Sequence, residues 1–337
     1  MTSHRSRKGM VGLVGVGLLA LAADASSQVV FPVTFAPSAA GLTMNERAQL
    51  TSHFQAAGQR WVGLLGISAA RSIEIQIEVN NAISTFGGAS FTSVFVGVEQ
   101  ARNTFEQGAA AELRTGTDPN SNTPDVRIIV SEPYLRGELW FDPNPVARTA
   151  PVPENLTDAM SVALHELGHA LGYNGFANGA GVPPTTFWST FDRWMQPGSP
   201  TLFNGPVVLQ VWGSPPDLTT NNINHWSNQP IPPPISPRLA HDQFTAVVWE
   251  NGVPVPLIRC HGPISADAPK SPRSSNAPAS SKGTPPPGLL SELMNGIVFY
   301  RGHRYNISAL DLALMADVGL PPLGNATLIF RNGFEPQ

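Results

Sequence analysis

The stretch His165-Glu166-Leu167-Gly168-His169-Ala170-Leu171-Gly172-Tyr173-Asn174-Gly175 restricts this chain more than any other. Histidines four residues apart stand about 40° from each other around an α-helix, so both imidazoles can reach one metal ion. Glu166 is too close to His165 along the helix to serve as a further ligand. It can, however, hydrogen-bond a water in the metal's open position, which is the placement of a general base. At this composition His-Glu-x-x-His arises by chance about 0.007 times in 337 residues, so coincidence is a poor account. Met160, Leu164, Leu167 and Leu171 fall at i, i+4, i+7 and i+11, a stripe within about 60° that predicts a helix buried against a sheet. The histidines lie roughly opposite that stripe, with Gly168 and Gly172 beside them. The pattern predicts that this second side is the floor of a cleft.

A catalytic zinc takes three protein ligands and keeps one position open. In the extended motif His-Glu-x-x-His-x-x-Gly-x-x-His the third histidine would stand at position 175, which here is Gly175. Downstream lie His225, His241, His261 and His303, and the glutamates Glu250, Glu292 and Glu335. Neither Glu250 nor Glu292 sits in a long helical pattern that would return a carboxylate to the metal. The residues alone leave the third ligand open among the histidines.

The beginning of the chain reads as a leader. His4, Arg5, Arg7 and Lys8 precede an apolar run of 14 residues from Met10 to Ala23, and Ala23-Asp24-Ala25 offers a cleavage site. Such a run is too short to span a bilayer. Residues 1–25 are therefore expected to be a signal peptide, with a retained amino-terminal anchor as the lesser alternative, and the remainder to be exported without a membrane segment. Residues 26–43 are open as a removable propeptide. Cys260 is the single cysteine, so there is no disulfide framework, and no thiol ahead of the zinc helix could block the metal. Cys260 is expected to be a small buried apolar residue. A net charge of −4 gives no electrostatic reason to expect a nucleic-acid partner. The 42% hydrophobic content supports a sizeable core, while 31 glycines and 33 prolines predict long loops around it.

Along the chain, Leu50, Phe54, Ala57, Trp61 and Leu65 predict a helix over 44–65, with Thr43 as its N-cap. Strict alternation predicts a strand over 72–79, and further strands are expected at 91–98, 125–131 and 137–141, the last an edge beside the substrate cleft. Residues 99–113 read as helical, and 116–122 as a loop. Asp118, Asp125 and Asp142 match no twelve-residue calcium loop and are assigned to turn chemistry. The zinc helix is expected to start near Asn155 or Thr157 and to end at Gly172 or Tyr173, with Gly172 and Gly175 giving backbone freedom for a sharp exit. Residues 263–288, dominated by Pro, Ser, Ala and Lys, read as a flexible surface insertion, and 326–337 as a tail.

Four segments occur in a telling order: His165 to Gly175, then Asn224-His225-Trp226, then Glu292-Leu293-Met294-Asn295, then Ser308 to Gly319. In this the chain resembles leishmanolysin-like metallopeptidases, a branch of the metzincins, over roughly 125–320. The resemblance implies zinc on His165, His169 and His225 and Glu166 as general base. It also implies Met294 as a Met-turn beneath the metal, and a closing helix over 308–319. One departure is the interval of 69 positions from His225 to Met294 (294 − 225), longer than that family's usual spacing and containing the 263–288 insertion. Long surface insertions cost little, because closure entropy grows only logarithmically with length. The resemblance-free alternatives are a loop-capping His225, a core Trp226 and an ordinary core Met294, with His241 or His261 as ligand. Tyr300 and Tyr305, just beyond the Met-turn, are left unassigned.

The resulting expectation is an α+β, metzincin-like, two-lobed fold. Residues 26–175 would form an amino-terminal lobe, with a mixed twisted sheet and the zinc helix. Residues 176–325 would form a smaller, loop-rich lobe. The expected activity is that of a secreted or periplasmic zinc endopeptidase acting on protein or peptide substrates. The alternative is an exported binding or adhesive protein that keeps the fold without turnover.

Overall fold

The computed structural model describes residues 28–83, 85–227, 244–250, 253–258, 288–296 and 299–320. The leader 1–25, His241, Cys260, His261, residues 263–287 of the insertion and the tail 326–337 lie outside the described residues. The fold is mixed α+β, built from several small sheets and six helices among the described residues.

The first helix, α1 (Met44–Leu65), begins where Thr43 stops the chain from fraying. The Thr43 hydroxyl accepts from the Glu46 amide at 3.2 Å, and the Glu46 carboxylate accepts from the Thr43 amide at 2.7 Å, a reciprocal capping box. Leu50, Phe54, Ala57, Trp61 and Leu65 are all buried, as their spacing demands. At the far end Gly66 takes a left-handed conformation (φ 70°) and closes the helix.

The main sheet has four strands in the order Val33–Phe35, Ile75–Val79, Val126–Val130, Phe86–Ser90. The first three are parallel, and Phe86–Ser90 runs antiparallel along one edge. Ile75, Ile77, Val126, Ile128 and Val130 are fully buried, whereas Gln76, Glu78 and Arg127 are half-buried and Arg127 pairs with Glu78 at 2.6 Å. This alternation turns one face to the core and the other toward water. The 72–79 alternation is interrupted: Arg71–Ser72 pairs with Val29–Val30, and the ladder resumes at Ile75.

Where a helix was expected over 99–113, the chain forms a hairpin, Ser93–Glu99 with Arg102–Gln107, and only then α2 (Gly108–Thr115). The cause is the turn. Gln100 and Ala101 both adopt positive φ (51° and 61°), the two-residue geometry that matches strand twist but that these residue types rarely signal. The expected strand over 137–141 shrinks to Leu139–Trp140, after the short α3 (Glu132–Gly137), and pairs with Thr157–Asp158.

The helix that carries His165 and His169 is α4 (Ala159–Leu171), and it starts later than expected because its cap is Asp158, whose carboxylate accepts from the Ser161 amide at 3.1 Å. Trp61 of α1 donates its indole N–H to the Leu164 carbonyl at 2.9 Å, locking the two helices together. All thirteen residues of α4 are buried. A Cβ on Gly168 would stand 2.7 Å from Met294 Sδ, and one on Gly172 would stand 2.8 Å from Met315 Sδ. The side expected to be an open floor is thus covered by the segment around Met294 and by α6 (Ala309–Asp317), after the intervening α5 (Pro206–Trp212). Gly172 has an extended φ of −173°, so its value lies in close approach and not in backbone freedom.

Gly88 on the edge strand is tighter still: a Cβ there would lie 2.1 Å from the Glu166 carbonyl oxygen. Gly88→Ala forces helix and strand apart and is expected to cost about 3 kcal/mol of stability in a denaturant titration. A loss below about 1 kcal/mol would mean that the two elements separate freely.

Candidate metal centre

Two elements carry the three histidines. His165 and His169 project from α4, and His225 comes from the strand Asn222–Trp226, which forms a hairpin with Leu218–Thr219. The turn between these strands uses Asn221 at φ 63°, a left-handed position that asparagine tolerates. The distances between Nε2 atoms are 3.0 Å for His169 to His165, 3.0 Å for His169 to His225, and 3.2 Å for His165 to His225. His303, by contrast, lies edge-on against Tyr305, its ring centroid 4.9 Å from that of the tyrosine.

The other ring nitrogen of each histidine explains what these close approaches are. His165 Nδ1 donates to the Leu293 carbonyl at 2.8 Å, His169 Nδ1 to the Tyr173 carbonyl at 2.8 Å, and His225 Nδ1 to the Asn222 carbonyl at 3.2 Å. A carbonyl can only accept, so each Nδ1 carries the proton. Burial holds the imidazoles neutral: it pushes His165 and His225 well below the usual range and His169 down to about 4. Three neutral rings protonated at Nδ1 turn three Nε2 lone pairs into one common space. They repel one another unless a cation stands between them. A tetrahedral zinc with bonds of 2.0–2.1 Å separates its ligand nitrogens by about 3.3 Å, close to the spacing here, so the residues fit such an ion. Carbonyl partners on the outer nitrogens are also what fixes the tautomer and orientation of metal-binding histidines.

One short segment assembles the site. The Leu293 carbonyl orients His165, and the Met294 carbonyl accepts from the Trp226 amide at 2.8 Å, directly after His225. The Gly296 amide then returns to the Trp226 carbonyl at 3.1 Å. Met294, fully buried, lies against Gly168 between the two helix histidines in sequence. A Cβ on Gly296 would come within 2.9 Å of His225 Cβ. Residues 293–296 therefore tie the helix histidines to the strand histidine.

Position 175 is committed elsewhere. A Cβ there would stand 2.0 Å from Asp192 Oδ1, and the Asp192 carboxylate receives the amides of Phe176, Ala177 and Ser189 at 2.7, 3.2 and 2.9 Å. The chain leaving α4 is pinned to Asp192, and Gly175 is required by that contact.

Two buried supports were not anticipated. Asp311 in α6 accepts from the Tyr173 hydroxyl at 3.0 Å and the Trp226 indole at 3.3 Å, while capping its own helix through Ser308. Ser308-x-x-Asp311 was the visible signal for it. At the other end, Asp158 caps α4 and pairs with Arg148 at 2.8 Å, and Arg304 bonds Asp142 at 2.6 Å. Asp158 directly ahead of the apolar run has the form of an N-cap.

Glu166 follows His165 and is 1% exposed; the most accessible histidine of the site, His169, is 7% exposed. Compared with protein-family models, curated proteins and solved structures, the chain matches none.

Proposed function

We propose that the chain is an exported zinc endopeptidase with a metzincin-like fold, cleaving protein or peptide substrates. The observation that carries the reading is the convergence of the His165, His169 and His225 Nε2 atoms, with a buried Glu166 next to His165 in the chain. In the proposal these three histidines are the zinc ligands. A zinc ion held there would supply Lewis-acid polarisation of a scissile carbonyl and would lower the pKa of water toward about 7.

The chain's own residues do the rest. The Leu293, Tyr173 and Asn222 carbonyls hold the three rings in orientation. Glu166 accepts the proton of the attacking water and delivers it to the leaving amine. Met294 packs under the ligands as a Met-turn. The 1–25 leader, in this reading, directs export to the periplasm or the exterior. Among the described residues no helix is long and apolar enough to cross a membrane.

A second reading has one observation in its favour. Structural metal sites are closed, catalytic ones keep a position open, and here the three histidines and Glu166 are all at most 7% exposed. An exported binding protein that keeps the fold without turnover would have such a site. Metal analysis combined with casein digestion, with and without a chelator, separates the two. The enzymatic reading expects bound zinc and cleavage that the chelator stops, whereas zinc without cleavage would favour the binding protein.

A further inference from the structure

A cluster of acids that shares no residue with the histidine centre lies where α2, the loop after it and the strand Val126–Val130 meet. Carboxylate oxygens of Glu112, Asp118 and Asp125 lie within 4.8 Å of one another. Three acids at that separation repel strongly when ionised. Asp125 is fully buried and Glu112 is 5% exposed. Asp125 spends Oδ2 on the Glu74 amide at 2.9 Å, which brings a fourth carboxylate alongside. Asp125 Oδ1 and Glu112 Oε2 are buried and accept no hydrogen bond among the described residues. Buried carboxylate oxygens without a donor are costly, and the positive charge that acts on Glu112 is that of Arg71, whose guanidinium lies against Gly116.

Turn chemistry accounts for part of this. Asp118 Oδ1 accepts from the amides of Asn120 and Ser121 at 2.8 and 2.7 Å, and Asp142 Oδ1 from that of Asn144 at 2.8 Å. It does not account for Asp125, which sits at the mouth of a strand with an oxygen turned toward the other acids. We propose that Glu112, Asp118 and Asp125 form a calcium site, joining α2 and the 116–124 loop to the central sheet. Oxygen-only ligands select a hard cation. Calcium, with bonds of about 2.3–2.6 Å, accommodates oxygens up to about 5 Å apart in one shell, whereas magnesium's shell is about 4 Å across and demands stricter geometry. Without a cation the acids must hold protons instead: burial and the neighbouring Glu74 and Glu112 push Asp125 up to about 9.

The site shares no residue with the histidine centre, so its test can fail while that reading stands. Calcium chloride is titrated calorimetrically into the zinc-loaded full-length protein, with magnesium chloride as a parallel arm and thermal unfolding as a second readout. The expected result is one calcium per chain, a higher Tm with calcium, and magnesium at least tenfold weaker. Asp118→Asn keeps the turn acceptor and Glu112→Gln keeps side-chain volume; each is expected to weaken calcium at least tenfold at unchanged zinc content. Absence of calcium binding, equal binding of magnesium, or undiminished calcium binding in the Glu112→Gln/Asp118→Asn double variant would overturn the assignment.

Discussion

Replacing Glu166 by glutamine is expected to lower peptide hydrolysis at least about a thousandfold while zinc content and fold stay as they are. The substitution preserves shape in a residue that is 1% exposed, so no cavity opens beneath the edge strand. In the proposed mechanism it removes the group that takes a proton from water. A thousandfold loss corresponds to about 4 kcal/mol of transition-state stabilisation, within the range of a positioned general base. The loss belongs in kcat, because glutamine still fills the site and the histidines still hold the metal. Undiminished proteolysis by a zinc-loaded Glu166→Gln protein would remove this residue from the mechanism.

The second large effect concerns stability. Asp158 has a fully buried side chain, that of Arg148 is 6% exposed, and the two bond at 2.8 Å. The same carboxylate oxygen receives the Ser161 hydroxyl at 2.7 Å and the Ser161 amide at 3.1 Å. Ser161 Oγ in turn accepts from the Tyr305 amide at 2.8 Å, so the cap of α4 is joined to the segment around residue 305. Asp158→Ala leaves a buried guanidinium without its carboxylate partner and uncaps α4. Breaking a buried pair from one side costs about 3–5 kcal/mol, a large share of the 5–15 kcal/mol that a domain has in total. Urea unfolding is expected to show a loss of about 4 kcal/mol. Under about 1 kcal/mol, the pair would be solvent-screened and the bracing role would be gone.

These two residues differ in how visible they were. Glu166 stands in a motif whose spacing states its chemistry, since a helix of 3.6 residues per turn leaves few options for His165, Glu166 and His169. The cap of α1 and the core strand Ile75–Val79 were equally legible, because Thr43 ahead of an apolar-periodic run and the Ile75, Ile77 alternation are local patterns. Non-local events were not. The hairpin at 100–101 depends on two positive-φ residues that carry no glycine or asparagine, and Phe86–Ser90 is a strand despite two glycines. Those glycines make sense only once Gly88 is seen against the Glu166 carbonyl.

The same limit applied to the third histidine. His225, His241, His261 and His303 are equal candidates by spacing, and separation along the chain says nothing of separation in space. Folding brings His225 to within 3.2 Å of both helix histidines through the hydrogen bonds of residues 293–296. The cover over Gly168 and Gly172 likewise comes from Met294 and Met315, more than a hundred positions away, and no helical pattern could announce it. Asp158 and Asp311 had local capping signatures, but their partners Arg148, Tyr173 and Trp226 did not.

The account rests on one cation gripped by three imidazoles, and its most direct test is the metal content of the purified protein beside that of His225→Ala, measured by mass spectrometry. The prediction is one zinc per chain in the native protein and little or none in the variant after dialysis. A native protein that takes up no zinc, or a variant that stays fully loaded, would contradict it.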